Sequence, residues 1–167
     1  MSRPPVRILG VDTSLRRSGI AVILSNGMQS RAVAYGTIAN PASRPAPEAL
    51  WHLQCGVREW IEREKPEAAA VEGVFFSRNV KVTLALGQAR GVVLAACAEH
   101  GLPVYEYAPR LIKRGMTGTG AAGKNQVGYM VKTLLGLPEA PQEDAADALA
   151  IALCHAHQMR LAGLTAR

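Results

Sequence analysis

Ile8-Leu9-Gly10-Val11-Asp12 is the stretch on which the reading of this chain turns. The apolar run over 6–12 is that of a strand buried in a core. It ends on a carboxylate. An acid at the end of a core strand is costly unless it is paired or binds a cation. The pattern recurs in Ala68-Ala69-Ala70-Val71-Glu72, a second short strand ending on an acid. It recurs once more in Glu143-Asp144-Ala145-Ala146-Asp147-Ala148-Leu149-Ala150-Ile151-Ala152. There the i, i+3 spacing puts Asp144 and Asp147 on one face near the start of a helix, and the alanines let that helix press close to a sheet. Four oxygen donors on three apolar elements point to a hard divalent cation, Mg²⁺ or Mn²⁺. A cluster of this kind can hold two such ions for hydrolysis of a phosphodiester.

Outward from this core, Gly19-Ile20-Ala21-Val22-Ile23-Leu24 reads as a second strand and Ser25-Asn26-Gly27 as a tight turn. The turn leads into an antiparallel third strand over 29–38. Proline then marks a loop over 40–47. A helix over 48–65 follows from Leu50, Leu53, Val57, Trp60 and Ile61 at helical spacing. The strand ending at Glu72 comes next, then a helix over 79–100 that is apolar on most of its circumference. Such a helix is either sandwiched in the core or covered at a dimer contact. Pro103-Val104-Tyr105-Glu106-Tyr107 is a short fifth strand, 109–123 a basic, glycine-rich connector, and helices begin near 124 and 143. The order βββαβαβαα predicts an α/β fold, a five-stranded mixed sheet flanked by helices, as a single domain over 1–167.

The totals set the class of partner. Lys and Arg outnumber Asp and Glu by 19 to 13, and 49% of the residues are apolar. Disorder is excluded by that apolar content, and a basic surface left after four acids are committed suits a polyanion. Cys55, Cys97 and Cys154 are scattered and odd in number, as expected for reduced, mostly buried thiols in a cytoplasmic protein. Cys154-His155-Ala156-His157 is not read as a zinc site, since 155 and 157 point to different sides of a helix. No signal peptide is expected before the first strand, and no apolar run is expected to span a membrane.

These residues resemble the RuvC family of Holliday-junction resolvases in the ribonuclease H-like superfamily. The most specific stretches are Leu86-Gly87-Gln88-Ala89-Arg90-Gly91 and Asp144 through Ala152, supported by Val71-Glu72-Gly73-Val74-Phe75-Phe76 and Pro103 through Tyr107. The resemblance implies a homodimeric endonuclease, dependent on two Mg²⁺ or Mn²⁺ ions per site, that nicks opposed strands of four-way junction DNA symmetrically. It implies Asp12, Glu72, Asp144 and Asp147 as catalytic metal ligands. Lys113 and Lys124 match lysines beside the site, Lys124 with a catalytic share. Phe75 matches a stacking or wedge aromatic, with Phe76 expected to turn inward. Arg78 and Arg114 complete the DNA-binding candidates, and a branch-migration motor is a candidate partner. The chain departs from the family's pattern at Thr13-Ser14, which replaces Pro-Gly after the first acid, and at Gly73. Three rivals stand beside this reading: a nuclease for other branched DNA, a non-catalytic junction binder, and an actin-like or sugar-kinase-type phosphate-binding ATPase. The ATPase would need a second core domain.

Overall fold

A computed structural model describes residues 4–73, 78–118, 120 and 123–165. Five strands, β1 (Val6–Asp12), β2 (Arg17–Ser25), β3 (Ser30–Ala39), β4 (Ala68–Glu72) and β5 (Val104–Tyr107), form one sheet in the order β3-β2-β1-β4-β5. β1 to β3 run antiparallel through short connections, while β1, β4 and β5 are parallel neighbours. The helices are α1 (Ala46–Glu64), α2 (Val80–Glu99), α3 (Pro109–Thr117), α4 (Lys124–Leu135) and α5 (Glu143–Thr165). The expected mixed sheet with flanking helices is therefore present, with β1 at its centre.

Side chains alternate between the two faces of a strand, so β1 and β4 feed two separate cores. Leu9, Val11 and Val71 face a core completed by Leu53 and Val57 of α1 and Val93 of α2. Ile8 and Ala70 face the opposite core, built on Leu149 and Ile151 of α5 with Ile112 of α3 and Val131 of α4. α5 lies between the sheet and the α3–α4 pair, and almost every residue from Ala145 to Ala156 is buried.

Two glycines set how closely α5 approaches. A Cβ at Gly10 would overlap the Ala148 carbonyl oxygen, and one at Gly19 would overlap that of Asp144. Any larger residue at either of these two positions would push the helix away from the sheet.

Two expectations are corrected. The stretch over 109–123 is not a plain connector, because α3 occupies Pro109–Thr117. Pro109 opens that helix and Gly118, in the left-handed region at φ 76°, closes it. Ile112 and Met116, one turn apart, are its buried stripe. The second correction concerns α2, which at 20 residues is long and apolar enough to cross a membrane by length and composition. Its apolar residues have two faces: one packs in the core with α1, while Val80, Val82 and Leu84 are exposed.

Candidate active site

The alternation that separates the two cores also aims the acids. Asp12 shares a face with Ile8, and Glu72 shares one with Ala70, so both point toward α5. Asp12, Glu72 and Asp147 line a single cleft of about 440 Å³ together with Lys113, Ile112 and Val127. Three acids far apart in the chain thus meet at one place, and α3, unforeseen as a helix, brings Lys113 to the same wall.

Electrostatics in the cleft are those of crowded carboxylates. Burial pushes the Glu72 carboxyl above its ordinary pKa, and the charge of Asp147 pushes it further; Lys113 acts in the opposite direction. A cation between these acids would relieve that repulsion. The donors are all hard oxygens, which is the chemistry Mg²⁺ and Mn²⁺ take, so the residues fit such an ion. Among the described residues, no three acids, histidines or cysteines stand close enough together as placed to hold a metal ion, so the acids would have to draw in around one.

Asp144 is placed differently from its i+3 neighbour. Its carboxylate is ion-paired with Arg17 Nε at the start of β2, and Arg17 Nη2 also donates to Gln142 Oε1 at 3.0 Å. Asp144 does not line the cleft that holds the other three acids.

Glu72 is held from behind by a residue not singled out as functional. Arg90 of α2, 7% exposed, donates from Nη1 to the Glu72 backbone carbonyl at 2.6 Å and pairs through Nη2 with Glu106 at 2.6 Å. A charge-assisted bond to a strand's last carbonyl fixes where its carboxylate projects. Nearby, the Gly73 N–H donates to the Tyr107 carbonyl at 2.8 Å, extending the β4–β5 pairing past the acid. Arg90 could have been flagged by its isolation, the one charge between Lys81 and Glu99 on an otherwise apolar helix.

The remaining candidates fall into three groups. Lys113 is half-buried in the cleft wall, whereas Arg78 and Arg114 are exposed. Lys124 is the first residue of α4, and its side chain lies outside the described residues, as do Phe75 and Phe76. A second groove, lined by Asn125, Tyr129, Lys132, Glu143 and Asp147, adjoins the cleft through Asp147. Tyr129 is 67% exposed there, an aromatic lining the same groove as Lys132 that the sequence reading did not single out.

The apparent metal-like run at the end of α5 is structural. His155 is buried and shares a 2.6 Å hydrogen bond through Nδ1 with the Tyr107 hydroxyl, while His157 is exposed. Cys97 and Cys154 are buried thiols, each with its pKa pushed up to about 11 by burial.

A mixed sheet whose central strand and its parallel neighbour end on acids facing a C-terminal helix defines the ribonuclease H-like class. Comparison with known proteins narrows this. The family model for the crossover junction endodeoxyribonuclease RuvC matches residues 8–155, so the chain belongs to the RuvC family. It is 50% identical over 152 residues to the crossover junction endodeoxyribonuclease RuvC of Alkalilimnicola ehrlichii, covering 91% of this chain and 92% of that protein. The structure of Thermus thermophilus RuvC in complex with a Holliday junction substrate superposes with a TM-score of 0.88 at 36% identity, covering 94% of this chain and 96% of that one. The yeast mitochondrial Holliday junction resolvase Ydc2 shares the fold, with a TM-score of 0.66 at 15% identity, covering 98% of this chain and 85% of that one.

Proposed function

We propose that this protein is a structure-selective, metal-dependent endodeoxyribonuclease that resolves four-way DNA junctions by paired, symmetric nicks. The observation that carries this reading is the convergence of Asp12, Glu72 and Asp147, with Lys113, on one cleft. Membership of a family of crossover junction endodeoxyribonucleases supplies the substrate class.

The cleft and the family resemblance together support the following division of labour. Asp12, Glu72 and Asp147 would hold divalent cation, with Asp144 joining them once it leaves Arg17; two ions per site is the expected load. The bound cation would activate water and neutralise charge on the phosphodiester. Lys113 presents an ammonium to the same space, where a phosphate oxygen would sit. Arg90 keeps Glu72 in place without touching the substrate. Lys124 is assigned a supporting positive charge, and Arg78, Arg114 and Phe75, with Phe76 beside it, the grip on junction DNA. The exposed Val80 and Leu84 of α2, continued by exposed Gly87, Gly91, Ala95 and Ala98, give a two-fold partner a face to cover. Such a homodimer would set two clefts on opposed strands. A cytoplasmic location, a single-domain architecture over 1–167 and a branch-migration motor as partner belong to the same reading.

The test is nicking of a synthetic four-way junction against linear duplex of the same sequence, with Mg²⁺, Mn²⁺ or chelator. Junction-selective nicking that chelator abolishes is expected. Equal cutting of both substrates, or cutting in chelator, would overturn the proposal.

A further inference from the structure

We propose that Arg17 is a built-in competitor for the cation site: its guanidinium occupies Asp144 and is displaced when a divalent ion binds, so that Arg17 sets the protein's cation affinity. This rests on the metal-site reading above and goes beyond it in naming a residue that tunes the site without belonging to it.

The argument begins with the register of β2. Arg17 and Gly19 are two apart and therefore project to the same face of the sheet. Gly19 is the point where the backbone of α5 at Asp144 presses on β2, too close for any Cβ. The side chain two residues earlier on that face is thereby delivered to the first turn of α5. It meets Asp144 through Nε and Gln142 through Nη2. The contact is thus fixed by the packing that builds the site, and two separate atoms of one guanidinium take part.

Charge gives the contact its consequence. Asp144 and Asp147 lie on adjacent positions of one helical face, yet only Asp147 lines the cleft. Arg17 supplies the positive charge that Asp144 would otherwise take from a cation. Both partners reach solvent, with side-chain exposures of 53% for Arg17 and 27% for Asp144. A pair of this exposure is weak enough to exchange for a divalent ion, unlike a buried one. The competition costs affinity without blocking the site.

The experiment measures Mn²⁺ binding to the full-length protein without DNA, by calorimetry and by electron paramagnetic resonance of free Mn²⁺. Four proteins form a cycle: wild type, Arg17→Gln, Asp144→Asn and the double variant. Arg17→Gln should tighten Mn²⁺ binding by about two- to fivefold, the range of an exposed ion pair. In the Asp144→Asn background the same substitution should change nothing, since the pair is already gone. Unchanged or weaker binding in Arg17→Gln overturns the inference. So does equal tightening in both backgrounds, which would reduce Arg17 to one more surface charge. If wild type binds Mn²⁺ and nicks junctions but Arg17→Gln behaves identically, only the competition falls. If neither protein binds Mn²⁺, the metal-site reading falls with it.

Discussion

α2 and α5 are alike in sequence and opposite in setting. Both are long and rich in alanine, and each is apolar around most of its circumference. α5 is enclosed by the protein itself, between β1 and β2 on one side and α3 and α4 on the other. α2 is covered on one side only, and its first turns expose Val80, Val82 and Leu84. Apolarity in all directions is therefore met in two ways: α5 is covered within the chain, while α2 keeps an open face, the one proposed above for a two-fold partner. The acids follow the same division. α5 carries site chemistry on the face its own fold encloses, while α2 contributes Arg90 from behind.

The largest expected effect separates the two duties of α5. Asp147→Asn keeps the size of the side chain but removes a charged ligand, so nicking of a four-way junction should fall more than about 100-fold, since even outer-shell partners of metals cost 10–100-fold. Thermal stability should hold or rise slightly, because a repulsive neighbour of Glu72 is lost. Parallel loss of folding, followed by circular dichroism, would show that α5's core and chemistry are inseparable.

Next comes the packing that α5 has and α2 lacks. Gly10→Ala inserts a methyl group where the Ala148 carbonyl already sits. It should cost about 1–3 kcal/mol in denaturant unfolding, the usual range for overpacking. Gly91→Ala on α2, where the new Cβ would meet nothing within 4 Å apart from its own stretch of helix backbone, should be neutral or slightly stabilising in the monomer.

The uncovered face of α2 is tested by Leu84→Glu. Leu84 is 62% exposed, so the chain's own stability should change by less than about 0.5 kcal/mol. With the proposed dimer built on this face, sedimentation at micromolar concentration should show dimer for the wild type and monomer for the variant. A dimer that survives this substitution would move the association surface off α2.

The smallest effect concerns the far end of α5. Burial lowers the pKa of His155 below 6.5, so on acidification the unfolded chain takes up a proton that the folded one resists. Its contribution to stability is complete above pH 6.5 and is lost as pH falls from there toward the lowered value. Melting temperature should therefore fall as the pH is taken below about 6.5. His155→Leu, which leaves the Tyr107 hydroxyl without this partner, should melt lower throughout but with a flatter pH profile.

Much of this molecule is legible in its sequence because its signals are local. Apolar runs ending on Asp12 and Glu72 mark both strand and acid, and the i, i+3 pair marks α5. α3 was legible in principle through Pro109, Gly118 and the Ile112–Met116 spacing, but its glycines and basic residues masked that pattern. The pairing of Arg17 with Asp144 was not legible. It depends on two glycines letting a helix from one end of the chain settle on a strand from the other, which no local window contains. Arg90 was quoted as part of a motif, but its bond to a backbone carbonyl leaves no trace in residue type.

The tight seating of α5 on Gly10 and Gly19 also has a consequence in time. Asp12 and Glu72 leave the ribosome well before Asp147, which lies far along the chain from both. A nascent chain can pair β1 with β2 and β4 and still lack the third wall of its cleft. The cleft therefore closes only once α5 has been made and has settled on the sheet, and a fragment that stops short of α5 lacks its third acid.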